Sequence, residues 1–274
     1  MRLTTKIVFG IIPSIFFISL AFIIGFSSSD RKNHSFRSNI YIFELPQDNM
    51  TGIELGAFET IIIDEIPYKG SRYYIQENYG SINFDSIPEK GKPDMLFVPE
   101  SLKDFVVINT SNDTLTIKLN MPELEKKYKS DDHKETDISG MNMYLSTAKT
   151  DIINKLRLSV NIKNIEIDSI RISSNGSIFI DSCKTQFIEP FLKAHHQTLS
   201  ITNCNVKRIN LDFDHIRNWN IENSNVEEQY ITGGGNHHIA LHRNESGKIK
   251  WIPKNDKAEL NIKIPSDTTD IIIQ

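Results

Sequence analysis

From residue 158 to residue 262, pairs of apolar residues two positions apart recur every 20 or 21 positions, and this echo restricts the fold more than any other feature of the chain. The pairs are Leu158 with Val160, Ile178 with Ile180, Leu199 with Ile201, Trp219 with Ile221, Ile239 with Leu241, and Leu260 with Ile262. A spacing of two puts both side chains on one face of a strand. LSITNCNV at 199–206 also aligns with WNIENSNV at 219–226, so Asn203 meets Asn223, Asn205 meets Asn225 and Val206 meets Val226. A second series follows ten to twelve residues behind, in Ile209 with Leu211, Ile231 with Thr232, and Ile249 with Trp251. Each period therefore holds at least two short strands. A unit of that size cannot bury its apolar edge alone, and buries it by stacking on a neighbour about 4.8 Å away. The pattern predicts an all-β chain built as a parallel, right-handed β-solenoid with rungs of about 20 residues. A leucine-rich repeat needs an L-x-x-L-x-L-x-x-N frame, of which only the Asn after the strand is present.

The rest of the composition agrees. The chain has 43 Ile against 17 Leu, a β-branched excess that favours pleated surfaces over helices. Its 274 residues allow one or two domains with a sizeable core. A net charge of -4 and the lack of any Lys/Arg stripe with interleaved aromatics argue against a nucleic-acid partner.

Residues 7–26 carry no charge and are long enough to span a bilayer as one helix. A cleavable signal peptide has a shorter apolar region and a small-x-small site, so an uncleaved anchor is the favoured reading, although SSSD at 27–30 offers a weak cleavage region. No Cys lies nearby to take a lipid. Basic residues nearly balance across the segment, Arg2 and Lys6 against Arg31, Lys32 and Arg37. A short basic start followed at once by an apolar run delivers the downstream domain across the membrane. The expectation is a single-pass membrane protein with its C-terminal domain outside the cytoplasm. Residues 27–39 then read as a polar stalk. Residues 40–120 read as a β region with strands at 41–45, 58–64, 72–76, 81–84, 94–98, 104–108 and 115–119. Residues 121–150, which include LEKKYKSDDHKETD, read as a charged insertion loop that opens with a helical turn at Pro122. Residues 151–274 are the rungs.

FETIIID at 58–64, the Asn-rich turn feeding a strand in NTSNDTLTIKL at 109–119, and the stacked strands from 158 onward together resemble the auto-transporter adhesin family with a head GIN domain, a β-helical surface module of bacteria. The resemblance covers about residues 50 to 264. It implies a surface-located adhesive or scaffolding role without catalysis, and it brings no catalytic residues.

Four groups of residues invite chemistry. His237, His238 and His242 in GGGNHHIALH could hold a metal if the segment curled, but Ile239 and Leu241 point inward on a strand, which turns His238 and His242 outward. His195 and His215 should stack in adjacent rungs as a surface ladder. Asp212, Asp214, His215 and Arg217 in LDFDHIR are the one local constellation of the kind that polysaccharide-acting β-helices use, yet two outward Asp on a strand is also the ordinary solvent pattern. Gly233, Gly234 and Gly235 lack the Lys of a phosphate loop and read as a turn with positive φ. Asn203 and Asn223 suit a column of stacked amides. Cys183 and Cys204, 21 residues apart at equivalent repeat positions, should be neighbours, with a reduced packed pair favoured over a disulfide. Ile180, Ile201, Ile221 and Leu241 should share one buried column.

No catalytic, cofactor-binding or metal residue is assigned, and no cofactor is expected. The function expected is adhesive or scaffolding binding of an envelope glycan or protein, with the membrane as partner of residues 7–26. A lyase or glycosidase on a β-helix is the alternative. An envelope sensor is a third class, disfavoured because only six residues precede the apolar segment.

Overall fold

Apolar and polar residues alternate along strand after strand, and the alternation becomes the burial pattern. Ile61 and Ile63 are buried in Thr60–Glu65, Val160 and Ile162 in Ser159–Lys163, and Leu199 and Ile201 in Thr198–Thr202. The computed structural model describes residues 40–46, 49–66, 80–128, 135–193, 196–240, 247–263 and 270–273. Two compact units divide the chain, Met1–Tyr41 with Ser130–Thr136, and Ile42–Lys129 with Asp137–Gln274. The second unit is all-β around two large sheets.

Among the described residues, one sheet has ten strands in the order Asp270–Ile273, Lys248–Pro253, Asn225–Gly233, Asn205–Asp212, Lys184–Leu192, Glu166–Ser174, Asp151–Asn154, Thr60–Glu65, Thr114–Leu119 and Val106–Ser111. The other has eight: Asn218–Glu222, Thr198–Thr202, Ile178–Asp181, Ser159–Lys163, Gly80–Ser86, Met141–Ser146, Met95–Pro99 and Met50–Glu54. From Asp151 onward, each strand of one sheet pairs in parallel with the strand one repeat away. Toward the N-terminal side the pattern is mixed. Val106–Ser111 pairs antiparallel with Thr114–Leu119, and Met95–Pro99 pairs antiparallel with both of its neighbours. The first of these is a two-residue hairpin in which Asn112 and Asp113 both have positive φ (50° and 57°), the requirement of a type I′ turn. The wholly parallel expectation is corrected there.

The repeat register holds in the middle and slips at both ends. Ile178 pairs with Leu199 and Leu199 with Trp219, as the spacing requires. At the start, Val160 and Ile162 rather than Leu158 and Val160 face Ile178 and Ile180. Leu158 is buried just ahead of the strand, its carbonyl capped by the Asn154 amide at 2.8 Å. At the end, Leu260 and Ile262 pair with His237 and Ile239, and these strands form a separate two-stranded sheet. In the second series the inward partner of Ile231 is Gln229; Thr232 lies beside Asp212 on the outward face.

Ile180, Ile201 and Ile221 form the buried column expected of them, and Leu241 lies outside the described residues. The column continues through Ile162, Phe84, Leu145 and Leu96 to Ile53. Each fully buried member contributes about 1.5–3 kcal/mol of transfer free energy. Within residues 121–150, expected as a loop, a helix spans Met121–Tyr128 and a strand spans Met141–Ser146 in the interior of the eight-stranded sheet. The reason is MNMYLS: Met141, Met143 and Leu145 alternate inward against Leu96, Ile82 and Phe84.

The corners reuse one conformation. Asn164, Ser182, Asn203 and Asn223 follow successive strands with φ between 51° and 56°, the left-handed region that Asn tolerates better than most residues. Backbone bonds climb between corners, from the Asn203 N–H to Glu222 O at 3.1 Å and from the Ser182 N–H to Thr202 O at 3.0 Å. Asn203 and Asn223 are thus selected by backbone conformation, and the Asn203 amide bonds Asp181 at 2.9 Å in the adjacent rung. Cys183 and Cys204 follow such corners as buried free thiols. The Cys183 N–H donates to Cys204 Sγ at 3.4 Å, and the Cys204 N–H donates to Ser224 Oγ at 3.0 Å. The proximity expected of the two cysteines is met, and sulfur and hydroxyl do the same work in successive rungs. The Cys183 hydrogen bond and then burial push the Cys204 thiol well above its ordinary range.

Residues 7–26, the stalk, His195 and His242 lie outside the described residues. Among the described residues, no helix is long and apolar enough to cross a membrane.

Candidate functional site

Parallel in-register pairing places matched side chains about 4.8 Å apart, so the outward face of each sheet carries continuous columns. On the eight-stranded sheet one column runs Phe97, Tyr144, Asn83, Asn161, Phe179 and Ser200. Asn161 Nδ2 donates to Asn83 Oδ1 at 2.8 Å, Asn83 Nδ2 to Ser81 Oγ at 2.9 Å, and Ser81 Oγ–H to Asn142 Oδ1 at 3.0 Å. This polar ladder is uncharged and flanked by the rings of Tyr144 and Phe179. The stacked amides expected of Asn203 and Asn223 therefore occur at other positions, here and between Asn225 and Asn205 at 3.4 Å.

The outward face of the ten-stranded sheet is different. Arg171 lies over Phe187 at 5.6 Å, Arg208 lies between Phe187 and Tyr230 at 5.0 and 5.1 Å, and Lys250 lies over Tyr230 at 5.1 Å. Cations held on ring faces in this way are attracted by the ring quadrupole. Beside this stack runs an open groove of ≈ 540 Å³ that crosses six neighbouring strands, from Asp151–Asn154 to Lys248–Pro253. Ile153, Ser173, Phe191, Asp212, Thr232 and Ile252 line it on one side, and Asp151, Arg171, Glu189, Asn210 and Tyr230 on the other.

At one end of that face sits the acidic constellation. Asp212 and Asp214 do share an outward face, and both accept from Lys254 Nζ, at 2.6 and 2.9 Å. Asp214 also accepts the Gly234 N–H at 2.9 and 3.0 Å, and His237 Nε2 lies 3.2 Å from it. His215 Nδ1 lies 2.9 Å from Asp212 Oδ2, with its ring against Phe191 at 4.3 Å. The Gly234 N–H first, then Lys254, pull the Asp214 carboxyl down to about 2. For Lys254, partial burial is the largest single influence and acts downward, but the two carboxylates outweigh it and hold the ammonium above its ordinary value.

His237 is inward and half-buried, packed edge-on to Phe213 and Trp251, whereas His238 is exposed. Gly233 makes room for it, since a Cβ there would lie 2.6 Å from His237 Nε2. Gly233 closes a strand and Gly234 and Gly235 make the bend to Asn236–Ala240, so the turn expected here is met at 234–235, but the positive-φ glycines among the described residues are Gly91 and Gly140, which corrects the positive φ expected of it. Arg217 lines a pocket of ≈ 510 Å³ together with Asp214, Trp219, Asn236, His237 and His238, and Lys254 rather than Arg217 is the cation bonded to the two carboxylates. Among the described residues, no group of three His, Cys, Asp or Glu side chains converges as a metal site.

Lys254 is the member of the cluster that sequence reasoning missed, and His237, read there as part of a histidine group, joins the carboxylates instead. The signal was the repeat itself: stepping forward from Asp214 by 20 and by 40 residues reaches Gly234 and Lys254, the two groups that hold it.

No protein family matches the chain, and no curated protein does. Among solved structures, the chain is similar to a candidate adhesin from Bacteroides fragilis NCTC 9343, at 15% identity and a TM-score of 0.49 over 84% of this chain and 99% of that one. It is similar to a candidate adhesin from Parabacteroides distasonis ATCC 8503, at 11% identity and a TM-score of 0.45 over 86% and 100% of the two chains. It is also similar to a candidate lipid-binding protein from the same Parabacteroides strain, at 10% identity and a TM-score of 0.42 over 85% and 99%.

Proposed function

We propose that the chain is a non-catalytic binding module of a bacterial cell envelope. In this reading it is a β-solenoid of the head GIN adhesin kind, tethered through residues 7–26, with its β domain outside the cytoplasm. Its outward side-chain columns hold an envelope glycan or protein. The observation that carries the reading is the condition of the acidic cluster. Hydrolysis by two carboxylates needs one of them kept protonated at working pH while the other is ionised. Asp212 and Asp214 instead converge on one ammonium, and Asp214 is held near 2, which makes it a poor proton donor. Lys254 is raised, which makes it a poor base for elimination. The residues that could do chemistry are engaged in holding one another, whereas the columns remain open.

The test is incubation of the full-length, detergent-solubilised protein with an isolated envelope fraction. Saturable binding without release of reducing ends or unsaturated uronates is the expected result. Turnover of a polysaccharide that disappears with Asp214→Asn would overturn the reading in favour of an enzyme.

A further inference from the structure

We propose that the groove across the ten-stranded sheet is the ligand site, and that it takes a linear, uncharged polysaccharide; this rests on the reading of the chain as a binding module. The groove crosses six strands, and at about 4.8 Å per strand its length is about 24 Å. It is open along that length. A small-molecule site encloses most of its ligand, whereas a long open trough fits a polymer lying along it.

The groove presents both apolar and polar groups along its length. Ile153, Phe191 and Ile252, on the first, third and sixth of these strands, offer apolar surface on which the apolar faces of sugar rings can lie, with Ser173, Asp212 and Thr232 on the strands between them. Asn210, Glu189, Arg171 and Tyr230 along the other side supply donors and acceptors for hydroxyl groups.

Charge decides against an acidic polymer. Of the carboxylates that line the groove, Glu189 is engaged by Arg171 at 3.7 Å and Asp212 by Lys254 at 2.6 Å, and Asp151 adds a further negative charge. The nearby Arg208 and Lys250 are drawn onto the rings of Phe187 and Tyr230. A carboxylated chain would have to compete with Glu189 and Asp212 for their cations and would face Asp151, whereas a neutral chain leaves these pairs in place. An acyl chain would desolvate these charged side chains without offering them a hydrogen bond. A peptide binding by strand addition needs a sheet edge, and the groove crosses a face whose six strands are all paired on both sides.

The experiment is affinity electrophoresis of the full-length protein in detergent gels containing hydroxyethylcellulose, glucomannan, xylan or polygalacturonate. At least one neutral polymer is expected to retard the protein. The double variant Phe191→Ala/Tyr230→Ala should raise the apparent Kd about tenfold or more, as removal of central aromatic contacts does. Ile87→Ala, at an exposed residue outside both sheets, should leave it unchanged. Because Phe191 and Tyr230 are half-buried, Thr232→Trp provides a second variant that fills the groove from its solvent side, and circular dichroism melting checks the fold of each. Stronger retardation by polygalacturonate, or unchanged binding in both folded groove variants, would overturn the proposal. So would binding to envelope material with none to any neutral polymer, an outcome that leaves the binding-module reading standing. Loss of envelope binding altogether would remove both.

Discussion

A backbone N–H, an ammonium and an imidazole meet at the carboxylate of Asp214, and together they favour its ionised form. Its folded value of about 2 lies below the unfolded value of about 3.9, so its stabilisation is complete above pH 4 and is lost as the pH falls from about 4 toward about 2. The side chain is about one-third exposed, and after solvent screening the contribution is on the order of 1 kcal/mol. Urea titrations of the wild type and of Asp214→Asn should show the variant less stable at pH 6 and the difference closing by pH 2. A gap of constant size across that range would refute the assignment. At Cys204 the shared role of thiol and hydroxyl gives a second expectation. Cys204→Ser keeps an acceptor for the Cys183 N–H and should change stability by less than about 1 kcal/mol, whereas Cys204→Val leaves that buried N–H unbonded and should cost about 1–3 kcal/mol. Equal effects of the two substitutions in denaturant melts would show that the sulfur acts only as packing. The role of Cys204 was not legible in LSITNCNV itself, because what selects the acceptor is a donor one repeat away.

Strands carry the stability here through columns that no single strand can complete. Ile221 lies 1% exposed on the last strand of the eight-stranded sheet, beside Ile201. Ile221→Asp buries a charge beside apolar neighbours and should unfold the domain, while Ile201→Ala should cost about 2–5 kcal/mol through the cavity it leaves. An Ile221→Asp protein with wild-type melting behaviour would rule out the column. The strand Met141–Ser146 was legible in its alternation but was masked by the charged run that precedes it. The slips at both ends of the repeat were not legible, because Leu158 and Leu241 satisfy the apolar spacing as well as the residues that pair. At the start, the slip is visible in Gly176, where a Cβ would lie 2.0 Å from the Leu158 carbonyl oxygen, a close approach that spacing does not encode.

For the whole molecule, the hydropathy of residues 7–26 gives the remaining expectation: mass spectrometry of the purified full-length product should find those residues retained in the membrane fraction. A product that starts at Ser27 or later would show that the segment is removed. The sequence by itself determined that the chain is β-rich, that strands one repeat apart stack, and which side chains face inward in the central repeats. It could do so because strand alternation and repeat spacing are local periodicities that survive in any register-preserving stack. Only the tertiary structure decided that Met95–Pro99 runs against its neighbours and that His237 turns inward over Gly233. It also decided that Lys254 closes over two carboxylates 40 and 42 residues earlier, and that a groove opens across six strands. Those outcomes depend on which strand edges and which side chains meet across the fold, and a pattern of periods two and twenty is the same for many such meetings.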